Sequence, residues 1–301
     1  MNNLLKISIL LVALLLIGSG LFGQNTQDVL PLIQPIELAE NHYQELQLLD
    51  KSKREEFSWM DTIYYPSELY LDNAILFAMA KPIYLTSSQV NFIKNAVAFP
   101  ANSSAQTRAE LDFLLKIQEK RTPQQIKRVM EIGDIGYWPE ANYLSSHQSY
   151  EKNLEYLFFE AVEIIGERCT AENYPLTSQL LQNVMMDMRI MEFAVKFHLL
   201  RARPYQLEPK LKPLKKIESP SFASGHTLWA YIQAYTFSEL IPQEREVFID
   251  LAYEIGFTRE MMGVHYPSDE EVARQIAHRM FFLMLHTDKF QQDLQAAKSE
   301  W

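Results

Sequence analysis

Apolar residues recur every three to four positions along most of the chain, which is the spacing that places them on one face of an α-helix. Segments with this pattern are predicted as helices over residues 104–120, 122–133, 149–167, from 177 onward, from 224 onward, 242–263 and from 268 onward. No alternating apolar–polar stretch exceeds four residues, and no Asn-Gly hairpin turn occurs. The pattern therefore predicts an all-α protein built as a helical bundle.

Two of these helices carry recognisable start signals. In the run Thr122-Pro123-Gln124-Gln125, Thr122 is placed to cap a helix, Pro123 suits its first turn, and Gln125 can bond back to the cap. Near the carboxyl end, the residue before Pro267 should leave the helical region, because proline disfavours that conformation in its neighbour. Ser268 is then predicted to cap the helix that follows.

The amino-terminal residues 1–23 have the three parts of a secretory signal peptide: one positive charge, an apolar run and a small-residue break. The uncharged apolar stretch over residues 7–22 is shorter than the ~20 residues that span a bilayer. We therefore expect residues 24–301 to form a single exported domain, periplasmic or secreted, without stable membrane insertion after cleavage. An uncleaved amino-terminal anchor stays open as the alternative.

The net charge and the cysteine count exclude some kinds of partner and site. The chain has 301 residues and a formal net charge of −10, which argues against a general nucleic-acid binder, since phosphate-backbone affinity comes from surplus Lys and Arg. A single cysteine, Cys169, excludes an intramolecular disulfide and a four-thiolate metal site. Nothing in the sequence fixes the oligomeric state.

Three short blocks bring together residue types that phosphate chemistry uses: Lys196 with Arg203-Pro204, Ser224-Gly225-His226, and Arg259 with His265 and Asp269. Lysine and arginine are fixed cations, and the arginine fork matches phosphate oxygens two at a time. Backbone N–H groups at the start of the helix after Ser224 form an anion site. The two histidines can supply a nucleophile and a general acid, and Asp269 can hold the His265 ring in one tautomer.

The order and spacing of the blocks resemble the motif of the phosphatidic acid phosphatase type 2 (PAP2) superfamily. This superfamily includes bacterial class A nonspecific acid phosphatases, membrane lipid phosphatases and vanadium haloperoxidases. Its motif reads Lys-six-Arg-Pro, Pro-Ser-Gly-His and Ser-Arg-five-His-three-Asp, and here it spans residues 196–269. Ala223 stands in place of the usual Pro and Thr258 in place of Ser. The sequences around both positions look most like the soluble acid phosphatases.

The resemblance implies the helical bundle of the acid phosphatase and vanadium haloperoxidase type. It also implies roles: His265 attacks phosphorus and becomes phosphohistidine, Asp269 orients it, and His226 protonates the leaving oxygen. The implied ligands of the non-bridging phosphate oxygens are Lys196, Arg203, Ser224, Gly225 and Arg259. Three fixed cations can do what metal ions do in other phosphoryl transfers, so no metal and no other cofactor is implied.

The sequence therefore favours an exported, metal-independent, acid phosphatase-like phosphoric monoester hydrolase acting on a small-molecule phosphate ester. Three alternatives remain open: a lipid or diphosphate phosphatase acting at a membrane surface, a vanadium haloperoxidase, and a non-catalytic envelope protein that binds phosphate. Hydrolysis of p-nitrophenyl phosphate separates an enzyme from a binder, and halide oxidation with vanadate and peroxide identifies a haloperoxidase.

Overall fold

The computed structural model describes residues 45–46, 48–66, 76–77, 79–135 and 149–301. The predicted signal peptide lies outside these residues. Within them the chain forms helices and no strand, and Tyr64 and Arg201 form an isolated antiparallel bridge. The prediction of an all-α fold is therefore confirmed.

The α-helices of the described residues are α1 (Ser87–Ala96), α2 (Ala105–Lys120), α3 (Pro123–Gly133), α4 (Tyr150–Leu157), α5 (Phe159–Ile165), α6 (Pro175–Leu199), α7 (Pro204–Leu207), α8 (Gly225–Leu240), α9 (Arg245–Met262), α10 (Pro267–Met284) and α11 (Asp288–Lys298). Short 3₁₀ helices cover Glu55–Thr62 and Pro242–Glu244. None of the helices in these ranges is long and apolar enough to cross a membrane.

Two of the three predictions about helix starts are confirmed. Thr122 accepts a hydrogen bond from the backbone of Gln125, whose side chain bonds back to the cap, as predicted. Tyr266 has the extended conformation predicted for the residue before a proline. The prediction that Ser268 caps α10 is wrong: the helix already begins at Pro267, and the Asp269 carboxylate accepts from the backbone N–H of Tyr266. The Ser268 hydroxyl instead bonds to Glu110.

Two further helix predictions need correction. The single helix predicted over residues 149–167 is broken at Phe158 into α4 and α5. The helix predicted from Pro242 begins as a 3₁₀ turn and becomes α-helical at Arg245. It ends before Gly263, whose φ of 78° lies in the left-handed region that favours glycine at a helix end.

Helix α8 lies at the centre of the bundle and packs against α6, α9 and α10. It is apolar on all sides, a pattern typical of a helix with no solvent face, and Trp229 and Phe237 on it are fully buried. Phe237 stacks on Phe248 of α9 with ring centroids 5.1 Å apart. This packing fixes the first turn of α8 relative to the ends of its neighbours, where the motif residues lie.

Candidate active site

The predicted site residues lie at or next to helix ends: Lys196 in the last turn of α6, Arg203 just before α7, Ser224, Gly225 and His226 at the start of α8, Arg259 in the last turn of α9, His265 in the following loop, and Asp269 in the first turn of α10. Contacts join these ends to each other. The backbone N–H of Ser224 donates to the Asp269 carbonyl at 3.3 Å, and Arg203 contacts His265. The structure therefore brings together side chains that are far apart in sequence.

The hydrogen bonds of His265 define which ring nitrogen carries the proton. Nε2 of His265 lies 2.8 Å from Nη1 of Arg203, and Nδ1 lies 3.2 Å from Oδ2 of Asp269. A guanidinium can only donate, so Nε2 accepts and the Nδ1 proton points at Asp269. Burial and then the charge of Arg203 hold the pKa of His265 well below its usual range, although Asp269 opposes them. The result is a neutral imidazole with its lone pair on Nε2, beside a cation.

Asp269 is itself held by several donors. The guanidinium of Arg201 donates to Oδ1 at 2.6 Å, while the Ser221 hydroxyl and the Tyr266 backbone N–H donate to Oδ2 at 2.5 and 3.0 Å. Burial alone would raise the pKa of Asp269, but the charge of Arg201, followed by His265, keeps it well below the usual range. Asp269 is therefore a fixed anion behind the His265 ring.

Arg201 is a functional candidate that the sequence reasoning missed. Its side chain is fully buried, and its guanidinium lies 3.8 Å from the ring centroid of Tyr266. It donates to Asp269 and to the Ser268 hydroxyl, and it pairs with Glu110 of α2 at 3.4 Å. Ser268 in turn donates to Glu110 at 2.9 Å. The network ties the carboxylate behind His265 to a helix about 150 residues earlier in the chain.

We expect Arg201→Lys to lower kcat by about 10- to 100-fold, the equivalent of one lost charge-assisted hydrogen bond. Lysine keeps the charge but cannot reach Asp269, Ser268 and Glu110 with one rigid fork. The inhibition constant of inorganic phosphate should stay within about threefold, because Arg201 does not face the substrate. Steady-state kinetics with phosphate inhibition measures both quantities. The matched control Arg274→Lys should keep wild-type kcat, and equal losses in both variants would contradict a positioning role for Arg201.

Arg203 and Lys196 are buried cations held by backbone carbonyls. Arg203 donates to the carbonyls of Ser219 and Val264, each at 2.8 Å. Lys196 Nζ donates to the carbonyl of Pro220 at 2.6 Å. Burial, and then the charge of Arg203, lowers the pKa of Lys196 to about 7. The loop that precedes α8 therefore positions two of the predicted phosphate ligands.

The start of α8 is stabilised by its own cap. The Ser224 hydroxyl accepts from the backbone N–H of Thr227 at 3.4 Å and lies 3.1 Å from the Thr227 hydroxyl. Gly225 is the first residue of the helix, where backbone N–H groups point out of the helix end toward anions. Of the two departures from the motif, Ala223 is buried, and the Thr258 hydroxyl donates to the carbonyl of Ile255 within its own helix.

His226 lies in the first turn of α8. Its half-buried ring contacts Trp229 edge-on, with centroids 5.7 Å apart. Burial, followed by the charges of Arg259, His265, Arg189 and Lys196, lowers its pKa well below the usual range. The positive charges of these residues therefore all disfavour a protonated His226 ring.

Arg189 is a further cation that the sequence reasoning did not single out. It lies two turns before Lys196 on α6, donates to Glu192 at 2.5 Å, and packs against the rings of Phe77 and Phe193. Its charge lowers the pKa of both His226 and Lys196. The motif spacing does not include it, so no sequence signal distinguished it from other helix arginines.

Two buried glutamates, Glu270 and Glu260, lie next to the candidate site. Glu270 accepts from the Thr227 hydroxyl, and burial raises its pKa to about 8. Burial and then the charge of Glu270 raise the pKa of Glu260 well above its usual range. Arg259 is next to Glu260 in the sequence, and its charge lowers the pKa of Glu270, although by less than burial raises it.

We expect phosphate binding to be coupled to proton uptake. A bound dianion would oppose the cations that depress the pKa of His226, so that pKa should rise. A group that acts as an acid loses activity as pH rises through its pKa, and kcat reports the bound state while kcat/KM reports the free state. The alkaline limb of kcat should therefore lie at higher pH than that of kcat/KM. NMR titration of His226 with and without inorganic phosphate checks the shift, and an unchanged or lower pKa in phosphate would contradict it.

Comparison with known proteins identifies the family of the segment that carries the candidate site. Residues 176–293 match the model of the PAP2 superfamily, and this segment, which contains every predicted site residue, is a PAP2 superfamily domain. The non-specific acid phosphatase of Providencia stuartii is 23% identical over 231 residues, covering 70% of this chain and 93% of that protein. The non-specific acid phosphatase of Salmonella typhi is 25% identical over 145 residues, covering 46% of this chain and 57% of that protein.

Two further proteins resemble this chain, one over a short segment of sequence and the other in its fold. The lipid A 1-phosphatase of Rhizobium etli is 49% identical over 51 residues, which cover 16% of this chain and 21% of that protein. The crystal structure of a bacterial vanadium-dependent iodoperoxidase superposes with a TM-score of 0.51 at 16% identity, covering 81% of this chain and 63% of that one. That likeness confirms the fold predicted from the motif.

Proposed function

We propose that this protein is an exported phosphatase that hydrolyses phosphomonoesters through a phosphohistidine formed on His265. The observation that carries the proposal is the state of that ring: Nδ1 is bound to the buried anion Asp269, and Nε2 carries its lone pair beside Arg203. A nucleophile positioned by a third group, with a fixed cation at the point of attack, is the arrangement that covalent catalysis needs.

In the first step, Arg203 turns its N–H from Nε2 of His265 to a phosphate oxygen, which frees the Nε2 lone pair. Nε2 then attacks phosphorus and forms the N–P bond while the P–O bond to the alcohol breaks. His226 donates a proton to the leaving oxygen. In the second step, water attacks phosphorus, His226 takes its proton, and the N–P bond returns its electron pair to Nε2. The products are the alcohol and inorganic phosphate, and both histidines return to their starting state.

The remaining groups would stabilise charge. Phosphoryl transfer is catalysed mainly by positioning and electrostatic stabilisation of the equatorial oxygens. In the proposed site, Arg203 and Arg259 supply fixed positive charge, and a bound phosphate dianion favours the charged form of Lys196. Ser224 and the Gly225 N–H complete the oxygen ligands. A buried cluster of cations is costly without an anion, and a phosphate dianion offsets that cost.

We expect activity on p-nitrophenyl phosphate to survive EDTA, because Arg203, Arg259 and protonated Lys196 occupy the role that metal ions have in other phosphatases. Vanadate should inhibit, as an anion with the shape of phosphate. The assay compares the rate before and after chelation and then with added divalent ions. Loss of activity with EDTA that zinc or magnesium restores would overturn the metal-independent mechanism.

The export part of the proposal rests on residues 1–23. Amino-terminal sequencing of protein recovered from the native host should find a chain that begins near residue 21 or 24. Recovery of intact Met1 in the membrane fraction would support an anchor instead.

The local similarity to a lipid A 1-phosphatase makes a phosphorylated lipid the second candidate substrate. Phosphate release from a lipid monophosphate in detergent and from a soluble ester such as phenyl phosphate separates the two. A soluble phosphomonoesterase acts on the soluble ester with the higher kcat/KM, and the reverse order would favour the lipid.

A further inference from the structure

The Thr227 hydroxyl connects the buried carboxyl of Glu270 to Ser224, one of the proposed phosphate ligands. The Ser224 and Thr227 hydroxyl oxygens lie 3.1 Å apart at the start of α8, and the Thr227 hydroxyl contacts Oε2 of Glu270 in α10. We call these three side chains, all of them buried, the hydroxyl network. Helix α9 packs closely against it, since a Cβ at Gly256 would lie 3.1 Å from the Thr227 hydroxyl oxygen. The mechanism proposed above uses Ser224 but neither Thr227 nor Glu270.

The protonation state of Glu270 decides which way the hydroxyl network donates. An ionised carboxylate can only accept, so it binds the Thr227 proton. It also attracts the Ser224 proton, and hydrogen bonds from both hydroxyls favour its charged form. An ionised Glu270 therefore competes with a phosphate oxygen for the Ser224 proton. A protonated Glu270 can donate to Thr227, which then donates to Ser224 and leaves the Ser224 proton for phosphate.

The surroundings of Glu270 favour its protonated form. The groups that face it, besides the hydroxyls of α8, are Asp269 on its own helix and Arg259 and Glu260 on α9. Burial and the charge of Asp269 raise the pKa of Glu270, and burial outweighs the opposing charge of Arg259, so that the pKa is about 8. Glu260 adds to this, because two neighbouring buried carboxyls resist ionising together. At neutral pH Glu270 is therefore mostly protonated.

The position of the Glu270 proton follows from the contacts of its two oxygens. Oε1 is buried and has no hydrogen-bond partner among the residues that the structure describes. A proton on Oε1 would be a buried donor without an acceptor, which is less favourable than a buried carbonyl oxygen without a donor. The proton therefore belongs on Oε2, the oxygen that contacts Thr227. This is the arrangement that leaves the Ser224 proton available.

We propose that Glu270 is a positioning residue, which in its protonated form turns the Thr227 hydroxyl toward Ser224 and so makes the Ser224 hydroxyl a donor to phosphate. The proposal rests on the proposed function, in which Ser224 binds a phosphate oxygen. Phosphate then binds more tightly to the protein with protonated Glu270. The affinity is fully present below the pKa of Glu270 in the free protein and falls as pH rises above it.

The test compares the full-length wild type with Glu270→Gln, whose amide has N–H donors at every pH. Calorimetric titration with inorganic phosphate gives the dissociation constant between pH 6 and 9.5. We expect the two proteins to agree within threefold at pH 6. At pH 9, about one pH unit above the pKa of Glu270, wild type should bind about tenfold more weakly than Glu270→Gln. Lys196, His226 and phosphate itself titrate in both proteins, so the ratio of the two constants removes their contributions.

A second comparison separates the hydroxyl network from the negative charge of ionised Glu270. In a Ser224→Ala background, Glu270→Gln should change the dissociation constant at pH 9 by less than twofold, because the donor on which Glu270 acts is absent. Ser224→Gly removes the same hydroxyl and weakens a helix start less than alanine does, so it repeats the comparison in a second variant. Thermal unfolding shows whether each variant is folded. The matched control Glu260→Gln removes the other buried carboxyl and should keep the wild-type dependence on pH.

Parallel pH profiles for wild type and Glu270→Gln would overturn the positioning role of Glu270. A tenfold difference that persists without the Ser224 hydroxyl would also overturn it, since the charge of Glu270 would then act on phosphate directly. The measurement is of binding, so failure of the phosphohistidine mechanism does not affect it. Absence of phosphate binding at every pH would overturn the proposed function and this inference together.

Discussion

Replacement of His265 by alanine should abolish turnover of every phosphate ester and leave no phosphoenzyme. The variant loses the atom that forms the N–P bond, so the route itself is removed, and loss of a nucleophile costs several powers of ten in kcat. Asp269 and the cations remain, so inorganic phosphate should still bind. Rapid acid-free quenching followed by mass spectrometry measures the phosphoenzyme, and steady-state assays measure kcat.

The control for this variant is His278→Ala, which changes an exposed histidine of α10 that packs against Tyr235. It should keep wild-type activity, and circular dichroism should show both variants folded. Formation of a phosphoenzyme in folded His265→Ala would show that another group is the nucleophile.

The second large effect concerns His226 and depends on the leaving group. A general acid contributes about 10²–10⁴-fold, and that contribution shrinks when the leaving group departs easily without a proton. His226→Ala should therefore keep measurable activity on p-nitrophenyl phosphate and lose a much larger factor on an alkyl phosphate. The measured quantity is the ratio of kcat/KM between wild type and variant for each ester.

Equal losses on the two esters would contradict the role of His226 as proton donor. A loss confined to KM would instead assign the ring to substrate binding, because an interaction that is equal in ground and transition states leaves kcat unchanged. The variant removes a half-buried ring that contacts Trp229, so a thermal unfolding measurement accompanies the kinetics.

Local sequence patterns were enough to predict much of the fold. Helical periodicity and the Thr122 cap reproduce α2 and α3 nearly residue by residue, because the signals that begin and end a helix are local. The break at Phe158 was missed because the apolar pattern continues through it. The prediction for Ser268 failed because a tertiary partner, Glu110, takes the hydroxyl that could have capped the helix.

The candidate site shows the same difference between what local sequence predicts and what only tertiary contacts reveal. The motif spacing predicts which residues carry the chemistry, and they do converge. The groups that hold them were not predictable, since Arg201 and Glu110 are ordinary charged residues until folding buries them next to each other. Glu270 likewise becomes distinctive only when folding buries it beside Thr227. Pairings over such distances in sequence leave no periodic signal in one chain, so only the structure identifies what holds Asp269.

The phosphorylation state of the protein during turnover tests the central claim most directly. Wild-type protein mixed with excess p-nitrophenyl phosphate and quenched in alkali should carry one acid-labile phosphoryl group, and fragmentation by mass spectrometry should locate it on His265. A phosphoryl group on any other residue, or none at all in protein that is turning over, would contradict the account.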